Sequence, residues 1–505
     1  MESKIFYITT PIYYANADPH IGHVYSTLIG DCLARYNRLI GNEVFFVTGT
    51  DEHGQKVEQK AKSLGKTPKE YTDEISQNFK QCFQNLGFQY DRFIRTTDTD
   101  HTEEVIKLWN VLEESGDIYL GNYEGWYSVS DETFVPDSSV IDGFDSMTNE
   151  PCKIFNETNN RVVRAKEENY MFRLSKYQNL ILEWLKTHPI VPEHRNNEMI
   201  EFVKDGLQDL SISRKKSVTE WGIEVPNNKD NVIYVWLDAL TNYKTASSNR
   251  ANKNIFPADV HIVGKDILKF HAVYWIGFLL SGKLPLPKKI LAHGWWLCGG
   301  IKMSKSIGNV IDPNEISTKY GNDVLRYVLL RNSCFATDTN YTEENLKVRV
   351  NTELANDLGN LVMRCLGKKL NPTEKIPAKP KIEEILDQDK KLMTNLVQMK
   401  EKCNYLMRIP DIQNYIVTIW NFISELNGYI TQEKPWKLIT ENTQRFSVVQ
   451  YIMLDHLRMI AIMISPVLID TSNNILRYLN INEKCLLEEG KLIHTNVPIL
   501  FEKVF

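Results

Sequence analysis

The sequence has no CxxC pair, no internal repeat, no low-complexity tract and no strong excess of either charge. Its eight cysteines stand alone at positions 32, 82, 152, 298, 334, 365, 403 and 485. Structural zinc sites draw on closely spaced ligands, so no structural zinc or other protein-bound metal is expected. Scattered thiols suit a reducing compartment and buried packing. The opening "MESKIFYITT" passes at once into strand-like residues, without the apolar core of a secretory signal or an Arg-rich transit segment, so a cytoplasmic location is expected. The longest apolar stretch near the end, "MIAIMISPVLI" at 459–469, is interrupted by Pro466 and reads as a core helix; no membrane partner is expected. With 59 Lys and Arg against 64 Asp and Glu, the net charge of −5 does not advertise a nucleic-acid ligand, though a local basic patch is compatible with it.

What is present is length and a recurring pattern. A chain of 505 residues, 42% hydrophobic, can bury a large core in more than one domain. "IFYITT" (5–10) is a strand by its β-branched and aromatic content. Asp18 and Pro19 then look like the cap and first residue of a helix whose apolar face is Ile21, Val24, Leu28 and Cys32. The pattern recurs in "EVFFVTGTDEHG" (43–54), "DVHIVGKD" (259–266) and "KKILAHGWW" (288–296), apolar runs that end in small and polar residues. This predicts an α/β fold, a Rossmann-type doubly wound parallel sheet with ligand groups at the carboxyl ends of its strands. The stretch between the halves, rich in Tyr, Trp, Thr, Asp and Gly, reads as an inserted domain of short strands and hairpins. Past about 345 the periodicity is helical, and an all-α bundle is expected. The expected division is 1–117 and 231–297 for the two halves of the sheet domain, 118–230 for the insert, 298–345 for a linking segment and 346–505 for the bundle.

Two motifs carry chemistry. In "TTPIYYANADPHIGH", His20 and His23 flank Gly22 at a helix start. Unpaired backbone N–H groups and the helix dipole attract anions there, and imidazoles can donate to phosphate oxygens. A plain helix start with two half-exposed histidines is the bland alternative. In "GGIKMSKSIGNV" (299–310), Lys302 and Lys305 sit on a Gly-flanked loop whose ammonium groups suit a leaving pyrophosphate. A solvated Lys/Ser loop is the alternative.

The pair His20-Ile21-Gly22-His23 and Lys302-Met303-Ser304-Lys305-Ser306, in that order, resembles the signatures of the class I aminoacyl-tRNA synthetases. "TGTDEHG", "YVWLDAL", "GKDILKFHAVYW" and "KMSKSIGNVIDP" narrow the resemblance to the methionyl-tRNA synthetase family, from about residue 5 to the C-terminus. The resemblance implies a Rossmann catalytic domain split by a connective-peptide insert, a stem-contact fold around the KMSKS loop and a helical anticodon-binding domain. It implies an ATP-dependent ligase that forms methionyl-adenylate and charges the 3′-terminal adenosine of tRNA(Met), with ATP and Mg²⁺.

Residue by residue, the resemblance assigns catalysis to His20, His23, Lys302 and Lys305. ATP contacts fall on these with Gly22, Gly264, Asp266, His293 and Trp296. Methionine is assigned to Ile12, Tyr14, Asp51, Trp236, Ala239, Leu240, Tyr243, Ile267, His271 and Trp275. Aromatic walls suit a thioether, and Asp51 suits the substrate ammonium. Leu240 stands where one branch of the family has proline. Arg214, in "DLSISR", matches an arginine near the amino-acid site, with a surface ion pair as its alternative. Trp436 and Arg364 are candidates for the anticodon, since bases stack on aromatic side chains.

Two departures shape the expected partners. Many family members carry zinc-ligand cysteines in the insert, where this sequence has only Cys152. The chain ends at Phe505, just past the bundle, without the C-terminal module of some relatives. A monomer is expected, leaving room for an accessory tRNA-binding protein. The rival readings are another class I synthetase, a small nucleotidylyltransferase with an HxGH motif, and an inactive tRNA binder. The first two fit poorly with an insert of this size and with the helical bundle, and the third with two intact motifs.

Overall fold

The computed structural model describes residues 5–135, 137–145, 148, 150–248, 255–303, 308–482 and 486–505. It divides into two compact units. The first comprises Met1–Gly30, Gly41–Trp295 and Met303–Asp312, and the second Asp31–Ile40, Trp296–Lys302 and Pro313–Phe505.

The first unit is organised by a six-stranded sheet. In chain order it begins with β1 (Phe6–Tyr14), α1 (Ile21–Leu39), β2 (Val44–Asp51), α2 (Gln55–Ser63), α3 (Pro68–Asn85), β3 (Arg92–Arg95) and α4 (Thr99–Glu114). The sheet order is β3-β2-β1, then Val260–Gly264, Ile290–His293 and Ile190–Val191, with every pairing parallel. The order in which strands are added to the sheet reverses beside β1, which is where such sheets bind ligands. β2 is buried along its whole length, as a central parallel strand should be. The β1–β2 register shifts between Thr9 and Ile12, where Pro11 has no N–H to give the ladder. Beyond that irregularity Tyr14 pairs with Asp51. On the other side of β1, Gly264 pairs with His293. Four of the expected site residues thus lie at carboxyl ends of neighbouring strands.

The region 118–230 holds the short strands expected of it, led by β4 (Ile118–Ser128) and β5 (Thr133–Val135) in an antiparallel sheet with Val163–Phe172 and Leu210–Ser211. It also holds two helices, Gln178–Leu185 and Glu193–Lys204, that composition did not suggest. Ile181, Leu185, Met199 and Val203 bury their apolar sides in the same core as Trp109 of α4 and Trp275.

The second unit is mostly helical. Its long helices are Asp387–Arg408, Ile412–Glu433 and Thr443–Ile464. Thr443–Ile464 is long and apolar enough to cross a membrane, but 72% of its most apolar window is buried inside the protein. That burial identifies a bundle core helix, which ends at Ile464, inside the run 459–469 expected to be one.

Candidate active site

The first helix start differs from its expectation. Asp18 and Pro19 do not cap α1, which begins at Ile21; Asp18 accepts a hydrogen bond from Asn78 instead (2.7 Å). The imidazole of His20 takes over the capping role, its Nδ1 accepting from the Gly22 N–H at 3.0 Å. Nδ1 of His23 accepts from the His20 N–H at 3.1 Å, and the Ile21 N–H donates to Ile311 O at 3.3 Å. Three backbone donors expected to face an anion are therefore used internally. Since both Nδ1 atoms accept, the N–H of each ring in its neutral form is on Nε2. The two rings lie 3.8 Å apart, and His23 packs edge-on against Tyr13 and Phe79. Gly22 is required by the fold of His20: a Cβ there would stand 2.8 Å from the His20 ring.

On the other side of β1, His293 is buried, with Nδ1–H donating to Gly294 O and Nε2 accepting from Ser26 Oγ, both at 2.8 Å. Burial, only partly offset by that carbonyl, pushes its pKa below the usual histidine value. His293 is thus neutral rather than a cation at the end of its strand. Asp266 is exposed, and its Oδ1 would lie 2.6 Å from a Cβ on Gly264, so the glycine lets this carboxylate lean over the strand end.

The expected amino-acid residues gather in the first unit. Trp236, Ala239, Leu240 and Tyr243 occupy one face of the helix Val235–Ser248 by their three- and four-residue spacing. Tyr243 Oη donates to His271 Nε2 at 2.7 Å, and His271 Nδ1–H donates to Ile267 O at 2.9 Å. Burial lowers the His271 pKa to about 4, so the ring is neutral. A π-helical turn, Phe270–Tyr274, carries His271 and leads into Trp275. Such turns interrupt regular helices frequently at functional positions. Trp236 stacks flat on Phe270 at 3.7 Å, and Tyr243 lies 6.1 Å from Trp275. Phe270 was not singled out from sequence. Ile12 and Ile267 are half-buried, packed against the neighbouring apolar clusters.

Asp51 is the electrostatic focus. Its side chain is 7% exposed, and Oδ1 has no hydrogen-bond partner among the described residues. Burial raises its pKa well above the usual carboxylate value, and the carboxylates of Asp238, Glu132 and Glu52 raise it further. A buried acceptor surrounded by like charge fits a cationic ligand. Two charged clusters beside it escaped the sequence reading. Asp238 accepts from His53 Nδ1 (2.6 Å) and His101 Nε2 (2.7 Å). Glu132 joins Tyr14 Oη (2.9 Å) to Tyr127 Oη (2.9 Å). His53 and Asp238 lie inside "TGTDEHG" and "YVWLDAL", but nothing in either string says that they meet. Arg214 makes no surface ion pair. It is 5% exposed, pairs through two nitrogens with Glu167 and lies 4.0 Å from the Tyr127 ring.

Of the remaining candidates, Trp296, Lys302, Arg364 and Trp436 belong to the second unit. The Trp296 backbone lies in a strand, Trp296–Cys298, between Ile301–Lys302 and Thr339–Tyr341. Lys302 is exposed beyond the turn at Gly299 and Gly300. Lys305 lies outside the described residues. Arg364 donates to Asn427 O (3.2 Å), Asn427 Oδ1 (3.0 Å) and Thr431 Oγ1 (2.9 Å). With Asn360, Asp357 and Met363 it lines a cleft of about 540 Å³. Thr431 is in the last turn of Ile412–Glu433, and Lys434 then turns the chain through a left-handed conformation into Pro435 and Trp436, which is 39% exposed. Arg364 and Trp436 therefore belong to one end of the bundle, and Asn360 joins them as a residue the sequence did not flag. Among the described residues no group of three or more His, Cys, Asp or Glu side chains could hold a metal ion.

Known proteins are similar to this chain over most of its length. The family model for class I tRNA synthetases (M) matches residues 6–366. A methionine–tRNA ligase of Caldanaerobacter subterraneus subsp. tengcongensis is 42% identical, over 99% of this chain and 79% of the relative. A probable mitochondrial methionine–tRNA ligase of Dictyostelium discoideum is 40% identical, over 95% of this chain and 87% of the relative. Among solved structures, Mycobacterium tuberculosis methionyl-tRNA synthetase in complex with methionyl-adenylate superposes with a TM-score of 0.92 at 37% identity, covering 98% of this chain and 99% of that one. Signature motifs, sheet order and full-length similarity agree: the chain belongs to the class I tRNA synthetases of the methionine type.

Proposed function

We propose that this chain activates L-methionine with ATP and transfers the methionyl group to the 3′-terminal adenosine of tRNA(Met). In the first step a methionine carboxylate oxygen bonds to the α-phosphorus, the bond to the bridging β-phosphate oxygen breaks, and pyrophosphate leaves. In the second, the terminal 2′-hydroxyl attacks the activated carbonyl carbon, and AMP leaves with the bonding electrons. Neither step needs a covalent enzyme intermediate, so the protein contributes positioning and charge. The observation that carries this reading is Asp51, a buried carboxylate with an unsatisfied oxygen, register-paired with Tyr14 at the strand ends beside the histidine motif.

In this reading Asp51 receives the substrate ammonium. Tyr14, Trp236, Tyr243, His271 and Trp275, with Ile12, Ala239, Leu240 and Ile267, enclose the thioether. A neutral His271 suits an uncharged side chain. His20 and His23 donate from Nε2 to the phosphates, and Gly22 admits the nucleotide close to the helix start. Asp266, beside Gly264, accepts from ribose hydroxyls, His293 forms a neutral wall, and the Trp296 backbone serves adenine. The role of Lys302 and Lys305 at the triphosphate rests on their motif. Mg²⁺ enters with ATP as part of the substrate, held by hard phosphate oxygens. At the other end of the chain, Trp436 offers a stacking face to an anticodon base, and Arg364 with Asn360 offers donors and acceptors to its edges. The free, mostly buried cysteines support work in the reducing cytosol. The chain acts there as a monomer, which sedimentation equilibrium checks.

The test is ATP–pyrophosphate exchange with each of the 20 amino acids in the absence of tRNA. Exchange with methionine alone is expected. Exchange with a different amino acid overturns the pocket, and none with any overturns the activation step.

A further inference from the structure

Glu132 is the most conspicuous residue without an assigned role. It lies between β4 and β5, in a stretch remote in sequence from the strand ends it reaches. It is 6% exposed and adopts φ of 49°, a left-handed conformation disfavoured for a residue with a Cβ. Four groups hold it there. Tyr14 Oη (2.9 Å) and the Lys56 N–H (2.8 Å) donate to Oε1, Tyr127 Oη (2.9 Å) donates to Oε2, and Tyr234 Oη (2.7 Å) donates to its backbone carbonyl. These donors come from β1, α2, β4 and the turn before Val235–Ser248. Gly54, with φ of 113°, makes room: a Cβ there would stand 2.6 Å from Tyr14 Oη and 3.0 Å from Glu132 Oε1. Arg214 braces the far side through the face of Tyr127. Backbone strain fixed by hydrogen bonds from several elements marks a position whose geometry is selected for more than folding.

Resting on the assignment of Tyr14 and Asp51 to methionine, we infer that Glu132 is a positioning residue that sets amino-acid specificity. Its carboxylate fixes the Tyr14 ring at the pocket wall. Its charge joins that of Asp51 in favouring a ligand with an ammonium group over one without. The second effect explains why a carboxylate stands where a neutral acceptor would satisfy the same tyrosines.

Glu132→Gln separates charge from shape. The amide oxygen can keep the Tyr14 and Lys56 donors, while the amide nitrogen donates to the Tyr127 oxygen, which has lone pairs to accept it. In ATP–pyrophosphate exchange the variant should raise KM for methionine about fivefold, leaving kcat and KM for ATP unchanged, as loss of one nearby charge at partly screened range predicts. The competitive Ki of 4-(methylthio)butanoate, methionine without its amino group, should not rise. A purely structural role would weaken both ligands alike and lower Tm. An unchanged methionine KM, or equal loss for both ligands, overturns the inference. Asp51→Asn measured in parallel separates the failures. If it leaves methionine KM unchanged, the pocket assignment itself falls; if it raises KM while Glu132→Gln does not, only the role of Glu132 falls.

Discussion

Asp51→Asn should move binding and stability in opposite directions. The carboxylate is 7% exposed, and Oδ1 has no partner among the described residues. In the proposed reading, pairing with the methionine ammonium makes a charge-assisted hydrogen bond worth about 2–3 kcal/mol. Asparagine keeps the shape but loses the charge, so KM for methionine in pyrophosphate exchange should rise by about 30- to 150-fold at 1.4 kcal/mol per tenfold, with KM for ATP within about twofold. Without ligand the sign reverses. Burial first, then Asp238, Glu132 and Glu52, raise the Asp51 pKa well above 3.8. A carboxyl whose folded pKa is raised binds more protons folded than unfolded between the two values. Stability therefore falls as pH rises through the folded pKa and is recovered as pH drops. Asparagine carries no such penalty, so the ligand-free variant should have a higher Tm than wild type at neutral pH, and the gap should close on acidification. Thermal melts across pH, with and without methionine, read both effects. A variant that melts lower at neutral pH and binds methionine normally would refute the argument.

The other expectations follow from the same geometry. Burial alone would raise the Asp238 carboxyl, but His53 and His101 outweigh it and bring it from 3.8 to about 2. That shift contributes about 2 kcal/mol above pH 4, lost as pH falls toward 2, and acid unfolding of Asp238→Asn should lack that component. Lys305→Ala should slow adenylate formation by about 100- to 1,000-fold, as loss of a preorganised charge does, with little effect on methionine Kd in rapid-quench and equilibrium measurements. Trp436→Ala should raise KM for tRNA in aminoacylation by about 5- to 150-fold, from a stacking energy of about 1–3 kcal/mol, with pyrophosphate exchange unchanged. Arg445 pairs with Asp389 and Glu433, whose side chains are 0% and 8% exposed. Arg445→Met should destabilise the helical unit by about 3–5 kcal/mol by stranding two buried carboxylates, seen as an early urea transition in far-UV circular dichroism.

How much of this was legible in the sequence depended on how local its cause is. Four of the six parallel strands declare themselves: β1, β2 and the strands ending at Gly264 and His293 are short apolar runs stopped by glycine and polar residues. β3 and Ile190–Val191 do not carry that pattern, and Ile190–Val191 joins the sheet from within the stretch expected to be the insert. The face of Val235–Ser248 that carries Trp236 and Tyr243 is likewise written in helical spacing. The start of α1 was misread because a side chain seldom credited with capping, His20, satisfies the Gly22 N–H two residues on. Asp18 and Pro19 have the right chemistry for a cap, but the chain needs its turn two residues later. The helices Gln178–Leu185 and Glu193–Lys204 were hidden by the aromatic and turn-rich composition of the residues before them.

Pairings across long sequence separations were not legible, and these organise the charge of the site. Tyr14 and Glu132 are 118 residues apart, His53 and Asp238 185. No periodicity links such residues; only the closing of the sheet brings them together. Their effects on Asp51 nevertheless point one way. Asp238 is held ionised by two histidines, and Glu132 receives three hydrogen-bond donors at its carboxylate. Both side chains thus have hydrogen-bond partners of their own, while Asp51 Oδ1 is left with none among the described residues. A cation entering the pocket therefore meets one unsatisfied acceptor inside a field whose other sources are locked in place. In the proposed reading, that arrangement discriminates by charge before the aromatic walls discriminate by shape. On that reading the Asp51 carboxylate adds selection by charge to an apolar slot, which by itself distinguishes ligands differing by one methylene by only about 1–3 kcal/mol.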